Sequence, residues 1–353
     1  MGDAEIVRTM EKPKDKDFVE TVEGLLFCVV GYLHPPDRYT AYLKYVPEVG
    51  GKWSREDVSY ARAIPFYHVS QVEGTYGYLK ESHPGYIFDC PVRNITISSV
   101  PKASVKRYYR PRERLKSIFE DGSQDDLESK LVDLVTILSG LSGVGVDGIG
   151  VTGSILTGNH SPKFSDMDLA VYGTEASSLF KDTIREMRGE HNVIQPFSAA
   201  KKELWSRSRL DRFQLGLDEL MGFADRRWNY GIYSDTYFSV HPVRTDGEIV
   251  EEYGDNTYRQ IGYITGSATV SDSSESIFLP AIYAIDDTIT DGNEDAEITE
   301  IVSYEGLFCD MFDKGERVEF SGALERVSGR KNHHRVVVGG AGSQPSYIKR
   351  IVT

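Results

Sequence analysis

Cysteine is scarce in this sequence, and its cysteines lie far apart. Cys28, Cys90 and Cys309 form no Cys-x-x-Cys pair, which excludes a structural zinc site built on paired cysteines. An odd and sparse cysteine count is typical of a protein that works in a reducing cytoplasm.

Long hydrophobic runs are also missing. No apolar stretch approaches the roughly eighteen residues that a membrane-spanning helix requires. The first residues, Met-Gly-Asp-Ala-Glu, are acidic and lack the hydrophobic core of a signal peptide. With 353 residues, 40% of them apolar and 27% charged, the chain is expected to form two or three globular domains. We therefore expect a cytoplasmic protein without a membrane partner.

Positively charged residues are fewer than negatively charged residues. The 40 Lys and Arg residues face 54 Asp and Glu residues, which gives a net charge of −14. Such a balance is unusual for a protein that binds nucleic acid without sequence preference. One segment, residues 102–116, is locally basic around Tyr108 and Tyr109. It is interpreted either as a grip on RNA or another nucleic acid by charge and stacking, or as a solvated connector into a helix that starts at Pro111.

The most informative segment lies between residues 149 and 172. A short apolar run, Ile149–Thr152, leads into Gly153-Ser154, whose turn predicts backbone N–H groups that hold a phosphate. Farther on, Asp166 and Asp168 head a second apolar run. Alternate residues of a strand share a face, so the two carboxylates project together and repel each other unless a cation lies between them. Oxygen ligands of this kind suit Mg²⁺.

The combination of Gly153-Ser154 with Ser165-Asp166-Met167-Asp168-Leu169 resembles the signature of the nucleotidyltransferase superfamily, which is DNA polymerase beta-like. Within it, the chain is similar to an uncharacterised archaeal group of predicted nucleotidyltransferases. The resemblance covers roughly residues 125–245. It implies Mg²⁺-dependent transfer of a nucleoside monophosphate from a nucleoside triphosphate (NTP) to an acceptor hydroxyl. It also implies catalytic and metal-binding roles for Asp166 and Asp168, and nucleotide contacts for Gly153, Ser154 and Ser165.

The sequence departs from this family at one position. The superfamily usually has a third carboxylate on a later strand, but the best later strand, residues 236–243, contains no acid. Alternation places Tyr237, Ser239 and His241 on one face, so Ser239 or His241 is expected where the acid would be. Asp235 and Asp246, at the two ends of this strand, are the alternative third ligands. A catalytically inactive nucleotide-binding, RNA-binding or regulatory protein with the same fold therefore stays open.

The predicted fold class is α+β, with three parts. A central nucleotidyltransferase-like α/β domain (106–260) is flanked by an N-terminal β-rich region (1–105) and a C-terminal OB-like β domain (261–353). Gly143-x-Gly145-x-x-Gly148 has the spacing of a dinucleotide-binding motif, but it follows a predicted helix rather than a strand. A single helix is predicted over Lys201–Met221. Basic residues on or near it are candidates for contact with a triphosphate or polyanion: Lys201, Lys202, Arg207, Arg209, Arg212, Arg226, Arg227 and Arg244.

Overall fold

Three β-sheets follow one another along the chain, and most of the helices belong to the middle one. The computed structural model describes residues 12–65, 67–189, 193–291, 297–339, 344 and 346–351. Within these ranges, no helix is both long enough and apolar enough to cross a membrane. The mixed α+β class is confirmed by this architecture.

The first sheet has eight strands, in the order β4-β5-β3-β2-β1-β8, with β7 added beside β3 and β6 beside β7. Two short helices, α1 and α2, follow β5. Successive side chains of a strand point to opposite faces, and both faces are buried: Phe18 and Cys28 belong to one apolar cluster, Val19 and Phe27 to another. The elements are β1 (Phe18–Thr21), β2 (Leu26–Val29), β3 (Arg38–Pro47), β4 (Trp53–Arg55), β5 (Val58–Arg62), α1 (Val69–Gly74), α2 (Tyr76–Ser82), β6 (Ile87–Cys90), β7 (Ile95–Pro101) and β8 (Val105–Tyr109).

The middle part has a four-stranded sheet in the order β11-β12-β10-β9. β10 is parallel to β12 and antiparallel to β9. Pro111 occupies the first turn of α3, as predicted, and the Asp125 side chain caps α4. The elements are α3 (Pro111–Asp121), α4 (Asp126–Ser142), β9 (Ile149–Thr152), α5 (Gly153–Thr157), β10 (Met167–Tyr172), α6 (Thr174–Gly189), α7 (Ala199–Arg207), α8 (Leu217–Arg226), β11 (Tyr230–Tyr233) and β12 (Thr236–Val243).

The single helix predicted over Lys201–Met221 is wrong, because two helices, α7 and α8, occupy this region with a bend between them. The side chains of Phe213 and Leu215 in the bend are buried in the apolar core of the third sheet. Burying these two side chains offsets the backbone hydrogen bonds that one continuous helix would have made. The bend thereby places the arginines between α7 and α8 differently from the way a straight helix would.

The third sheet closes into a barrel. Its strands run in the order β13-β14-β15-β17-β16, and β16 pairs back with β13. β15 and β17 are parallel, and the other pairs are antiparallel. Leu220 and Phe223 of α8 pack into its core, which joins the barrel to the middle part. The elements are β13 (Asn256–Asp272), β14 (Ala281–Thr290), β15 (Ile298–Ser303), β16 (Arg317–Gly329), β17 (His333–Val338) and β18 (Tyr347–Arg350), which pairs with β16.

Candidate active site

The two acidic residues singled out from the sequence lie at the start of β10, near the centre of the middle sheet. Met167, Leu169 and Val171 are fully buried in the hydrophobic core, so Asp168 projects from the opposite face of the strand. Asp166 directly precedes the strand and is more exposed. The strand alternation expected from the sequence is therefore present for Asp168, whereas Asp166 lies just before the strand, so a shared face for the two carboxylates stays a prediction.

Gly153 contacts this carboxylate directly. It begins α5 immediately after β9, in which Thr152 pairs with Asp168. Its φ is +68°, a left-handed conformation that favours glycine, and a Cβ atom built on it would lie 2.6 Å from Asp168 Oδ2. Any side chain at position 153 would collide with the carboxylate. The Gly-Ser and Asp-x-Asp parts of the motif thus form one packed unit.

The expected position of the third acid is occupied by Ser239. In the parallel pairing of β10 with β12, Ser239 lies directly opposite Asp168. Its hydroxyl donates to Asp168 Oδ1 at 2.5 Å and contacts His241 Nε2 at 2.9 Å. The same His241 nitrogen lies 3.7 Å from Asp168 Oδ1. A serine and a histidine therefore support Asp168 where the family usually has a carboxylate.

The two substitute acids considered from the sequence lie elsewhere. Asp235 is in the turn before β12, four residues from Ser239, which is roughly 13 Å along an extended strand. Asp246 follows the other end of β12 and forms a 2.5 Å ion pair with Lys14. In the described part of the chain, no group of three or more His, Cys, Asp or Glu residues could hold a metal ion. The expectation that Asp235 or Asp246 replaces the missing acid is therefore wrong.

The two carboxylates are electrostatically unequal. Partial burial and the negative charge of Asp168 raise the pKa of Asp166 to about 6, against the opposing charges of Arg62 and Lys44. Burial alone would raise the pKa of Asp168, but the neighbouring His241, the hydrogen bond from Ser239 and the charge of Lys44 lower it to about 2. Asp168 is therefore the permanently ionised member of the pair, and Asp166 gains a proton in mildly acidic solution.

The serines of the motif differ in their surroundings. Ser154 is buried in the first turn of α5, next to Gly153. Ser165 is also buried, and its hydroxyl accepts a 2.9 Å hydrogen bond from the Ser161 N–H. That bond closes the loop that leads into Asp166. Ser165 is thus tied to the loop conformation, and a direct contact with nucleotide stays a prediction.

A cavity of about 350 Å³ opens over Asp168 and is lined by all three parts of the chain. Gly153, Ser239 and His241 come from the middle sheet, and Tyr42 comes from the N-terminal sheet. The cationic residues in its wall come from two different parts of the chain: Lys16, Lys44, Arg209, Arg212 and Arg227. The same wall also holds three acidic residues, Asp15, Asp168 and Glu305, so its five cationic residues leave it net cationic. A net cationic cavity in a protein of net charge −14 is suited to an anionic ligand.

Several of these residues were not identified from the sequence. Lys44 lies on β3, where burial lowers its pKa while Asp168 opposes that shift. Glu305, in the loop after β15, is buried and accepts a 2.9 Å hydrogen bond from the Val69 N–H, and burial raises its pKa to about 7. Each is a single charged residue in a β-rich segment without a motif. No local pattern in the sequence marks either of them as part of a cavity.

The basic segment 102–116 is largely engaged within the chain. Lys106 pairs with Glu20 at 2.9 Å, although its side chain is still 60% exposed. Arg114 pairs with the buried Glu128. Other guanidinium groups lie over aromatic rings: Arg107 over Tyr109, Arg110 over Tyr108 and Arg112 over Tyr172. These contacts favour the structural interpretation of the segment, and binding of nucleic acid there stays a prediction.

Comparison with known proteins agrees with the geometry of the middle sheet. Residues 131–215 match the family described as nucleotidyltransferase domain. The chain is also 29% identical over 333 residues to an uncharacterised protein of Methanocaldococcus jannaschii, covering 93% of this chain and 96% of that protein. No solved structure matches. The chain therefore contains a nucleotidyltransferase domain, and an uncharacterised archaeal protein resembles it over nearly its whole length.

Proposed function

We propose that this protein is a nucleotidyltransferase that binds a Mg²⁺–NTP in the cavity over Asp168 and transfers the nucleoside monophosphate to an acceptor hydroxyl. The observation that supports this most directly is the packing of Gly153 against Asp168 beneath a cationic cavity. In this reaction the acceptor hydroxyl loses its proton to solvent, its oxygen forms a bond to the α-phosphorus, the bond between the α-phosphorus and the bridging oxygen of the β-phosphate breaks, and pyrophosphate leaves.

The residues present fit one Mg²⁺ ion that is shared with a nucleotide. Asp166 and Asp168 are adjacent carboxylates whose repulsion a cation would relieve, as the raised pKa of Asp166, caused by burial and by Asp168, indicates. Mg²⁺ commonly binds to one or two carboxylates together with substrate phosphates. When bound, the ion would neutralise charge on the phosphate oxygens. Two carboxylates supply too few ligands to hold several metal ions when no nucleotide is bound.

The residues around the two aspartates each have a separate role in this proposal. Ser239 and His241 keep Asp168 ionised and oriented through their hydrogen bonds. Gly153, which has no side chain, lets the turn before α5 pack directly against that carboxylate, and Ser154 continues this turn, whose backbone N–H groups would hold the triphosphate. Lys44 supplies positive charge from the N-terminal sheet, close enough to affect the pKa of both aspartates alongside the other groups around them.

Thermal unfolding with each of the four NTPs, with and without Mg²⁺, tests the binding part of the proposal. A ligand that binds only the folded state raises the unfolding temperature as its concentration exceeds Kd. We expect stabilisation by at least one NTP that requires Mg²⁺ and is lost in the double variant Asp166→Asn, Asp168→Asn. Stabilisation that is unchanged in this variant would contradict the assignment of the two carboxylates.

A second candidate function follows from the residue at position 239. Because Ser239 stands where the family usually has an acid, the domain would also suit a protein that binds nucleotide without transferring it, including an RNA-binding or regulatory protein. Release of pyrophosphate in the presence of candidate acceptors distinguishes the two. Nucleotide binding without any pyrophosphate release, across a broad acceptor panel, would favour the regulatory function.

We further propose that the C-terminal barrel is OB-like and that the chain divides close to the predicted boundaries, 1–105, 106–260 and 261–353. Numbering the five barrel strands along the chain gives the closed order 1-2-3-5-4, with strands 3 and 5 parallel. This order supports the five-stranded Greek-key interpretation. β8 continues to Tyr109 and β13 begins at Asn256, so each boundary moves a few residues to keep a strand whole.

A further inference from the structure

We propose that Arg209 and Arg227, with Arg212 beside them, bind a phosphate group carried by a small acceptor molecule. This inference rests on the proposed transfer reaction and adds the chemical class of the acceptor to it. The three arginines line the same cavity as Asp168 but belong to the bend and the end of the α7–α8 region.

Arg209 and Arg227 form a cationic pair that has no acidic partner among the described residues. The guanidinium carbon of Arg209 lies 3.8 Å from the centroid of the Trp205 ring, and that of Arg227 lies 5.0 Å from the same centroid. In the described ranges, neither Arg209 nor Arg227 has a carboxylate within 4.0 Å, whereas Arg226 next to them pairs with Asp313 and Glu316. Burial, with repulsion from Arg227 and Arg212, lowers the pKa of Arg209 to about 9. A bound dianion would offset this charge, and phosphate matches the guanidinium fork.

The sheet order places this group on the acceptor side of the site. Gly153 follows β9, on one flank of β10, whereas β12 and β11 lie on the other flank. Arg227 lies 4.9 Å from the centroid of the Tyr230 ring on β11, and its charge opposes the burial that raises the pKa of Tyr237 on β12. The arginines and the Gly153 turn are therefore on opposite sides of Asp168.

The geometry of phosphoryl transfer indicates on which side of the site the acceptor would bind. The attacking and leaving oxygens lie roughly in line across the phosphorus atom that is transferred. If Gly153 and Ser154 hold the leaving pyrophosphate on the β9 side, the acceptor approaches from the β12 side, where Arg227 lies. Because Arg209 and Arg227 have no carboxylate partner in the described ranges, this side of the site fits an acceptor that is itself anionic.

The size of the cavity indicates a small acceptor. About 350 Å³ is at the lower end of the range of small-molecule pockets, roughly 300–1,000 Å³, and the proposed nucleotide would take part of this same volume. Tyr67 on the N-terminal side, with Glu305 and Leu307 from the barrel, forms part of the wall next to the arginines. The reactive hydroxyl and the phosphate would thus belong to one compact molecule.

Calorimetric titration of inorganic phosphate tests the proposal on the full chain saturated with Mg²⁺ and a non-hydrolysable NTP analogue. Wild type should bind phosphate without losing the analogue. The double variant Arg209→Ala, Arg227→Ala should bind phosphate at least about a hundredfold more weakly, because it loses two charge-assisted contacts and each contributes a factor of about ten or more to the affinity. Its affinity for the analogue should change little. Arg207→Ala is the matched control, since Arg207 is exposed on α7 and pairs only with Glu203 in the described structure.

Three results would overturn the proposal. One is absence of phosphate binding to wild type. Another is competition between phosphate and the analogue, with loss of both in the double variant, which would assign the arginines to the triphosphate. The third is displacement of phosphate by a short oligoribonucleotide, which would assign them to nucleic acid. If the analogue itself fails to bind, the transfer reaction is wrong, and phosphate titration of the free protein still tests the arginines. Replacing both arginines by lysine separates loss of charge from loss of structure. We expect this variant to fold and to keep part of the phosphate affinity.

Discussion

Replacing Gly153 by alanine should separate the folding role of this glycine from its role beside Asp168. Two effects act on folding. A left-handed φ costs an L-residue about 1–2 kcal/mol, and the lower entropy of the unfolded chain returns roughly 0.4–1 kcal/mol. The net loss of unfolding free energy from the backbone alone is therefore about 1 kcal/mol.

The contact with Asp168 adds a separate effect on binding. The new Cβ would lie 2.6 Å from Asp168 Oδ2, whereas ordinary contact begins at 3.4 Å, so the carboxylate must move by about 0.8 Å. Binding sites tolerate displacements of roughly 0.5 Å, and a misplacement near 1 Å can cost about 100-fold in function. We expect Mg²⁺–NTP affinity to fall by roughly 10- to 100-fold.

Gly158→Ala is the matched control for this experiment. Gly158 ends α5 with a φ of +70°, almost equal to the +68° of Gly153, but its new Cβ would meet only Arg55 at 3.6 Å. Both variants should lose about 1 kcal/mol of stability, and only Gly153→Ala should lose nucleotide affinity in calorimetric titration. Equal affinity in the two variants would refute the argument that close packing of Gly153 against Asp168 shapes the site.

Three further predictions concern the site around the two carboxylates and the ion pair between Arg114 and Glu128. Asp166→Asn should stabilise the metal-free protein above pH 6. The raised pKa of about 6 means that ionised Asp166 disfavours folding, and this penalty grows as the pH rises from the unfolded-state pKa of 3.8 to 6. Thermal unfolding of wild type and variant should therefore show a difference in unfolding temperature that disappears near pH 4. A difference that stays constant with pH would contradict this prediction. Ser239→Ala should weaken Mg²⁺–NTP binding more at pH 5 than at pH 8, because losing its hydrogen bond raises the pKa of Asp168; calorimetry at both pH values checks this, and a pH-independent loss would indicate a packing effect. Arg114→Gln should lower the unfolding free energy by about 3 kcal/mol, since it leaves the buried Glu128 without its cation; a denaturant titration that shows no loss would place the pair among weak surface contacts.

The local elements around the motif were predictable because each depends on short-range signals. Pro111 fixed a helix start, and apolar residues at helical spacing, such as Leu127 and Leu131, defined the buried face of α4. Alternation along β10 placed Asp168 opposite the core. The helix over Lys201–Met221 failed because its pattern holds no sign that Phe213 packs into the core of a barrel that begins more than forty residues later.

By itself, the sequence determined the nucleotidyltransferase signature, the carboxylate pair and the absence of an acid on the strand beside it. These are properties of residue order, period and composition. Only the tertiary structure decided what surrounds the pair. Strand register placed Ser239 opposite Asp168, and closure of three sheets around one cavity brought Lys44, Arg209 and Glu305 into its wall. Such residues are scattered across the chain, and burial of apolar surfaces elsewhere fixes their positions, so no local pattern can reveal them.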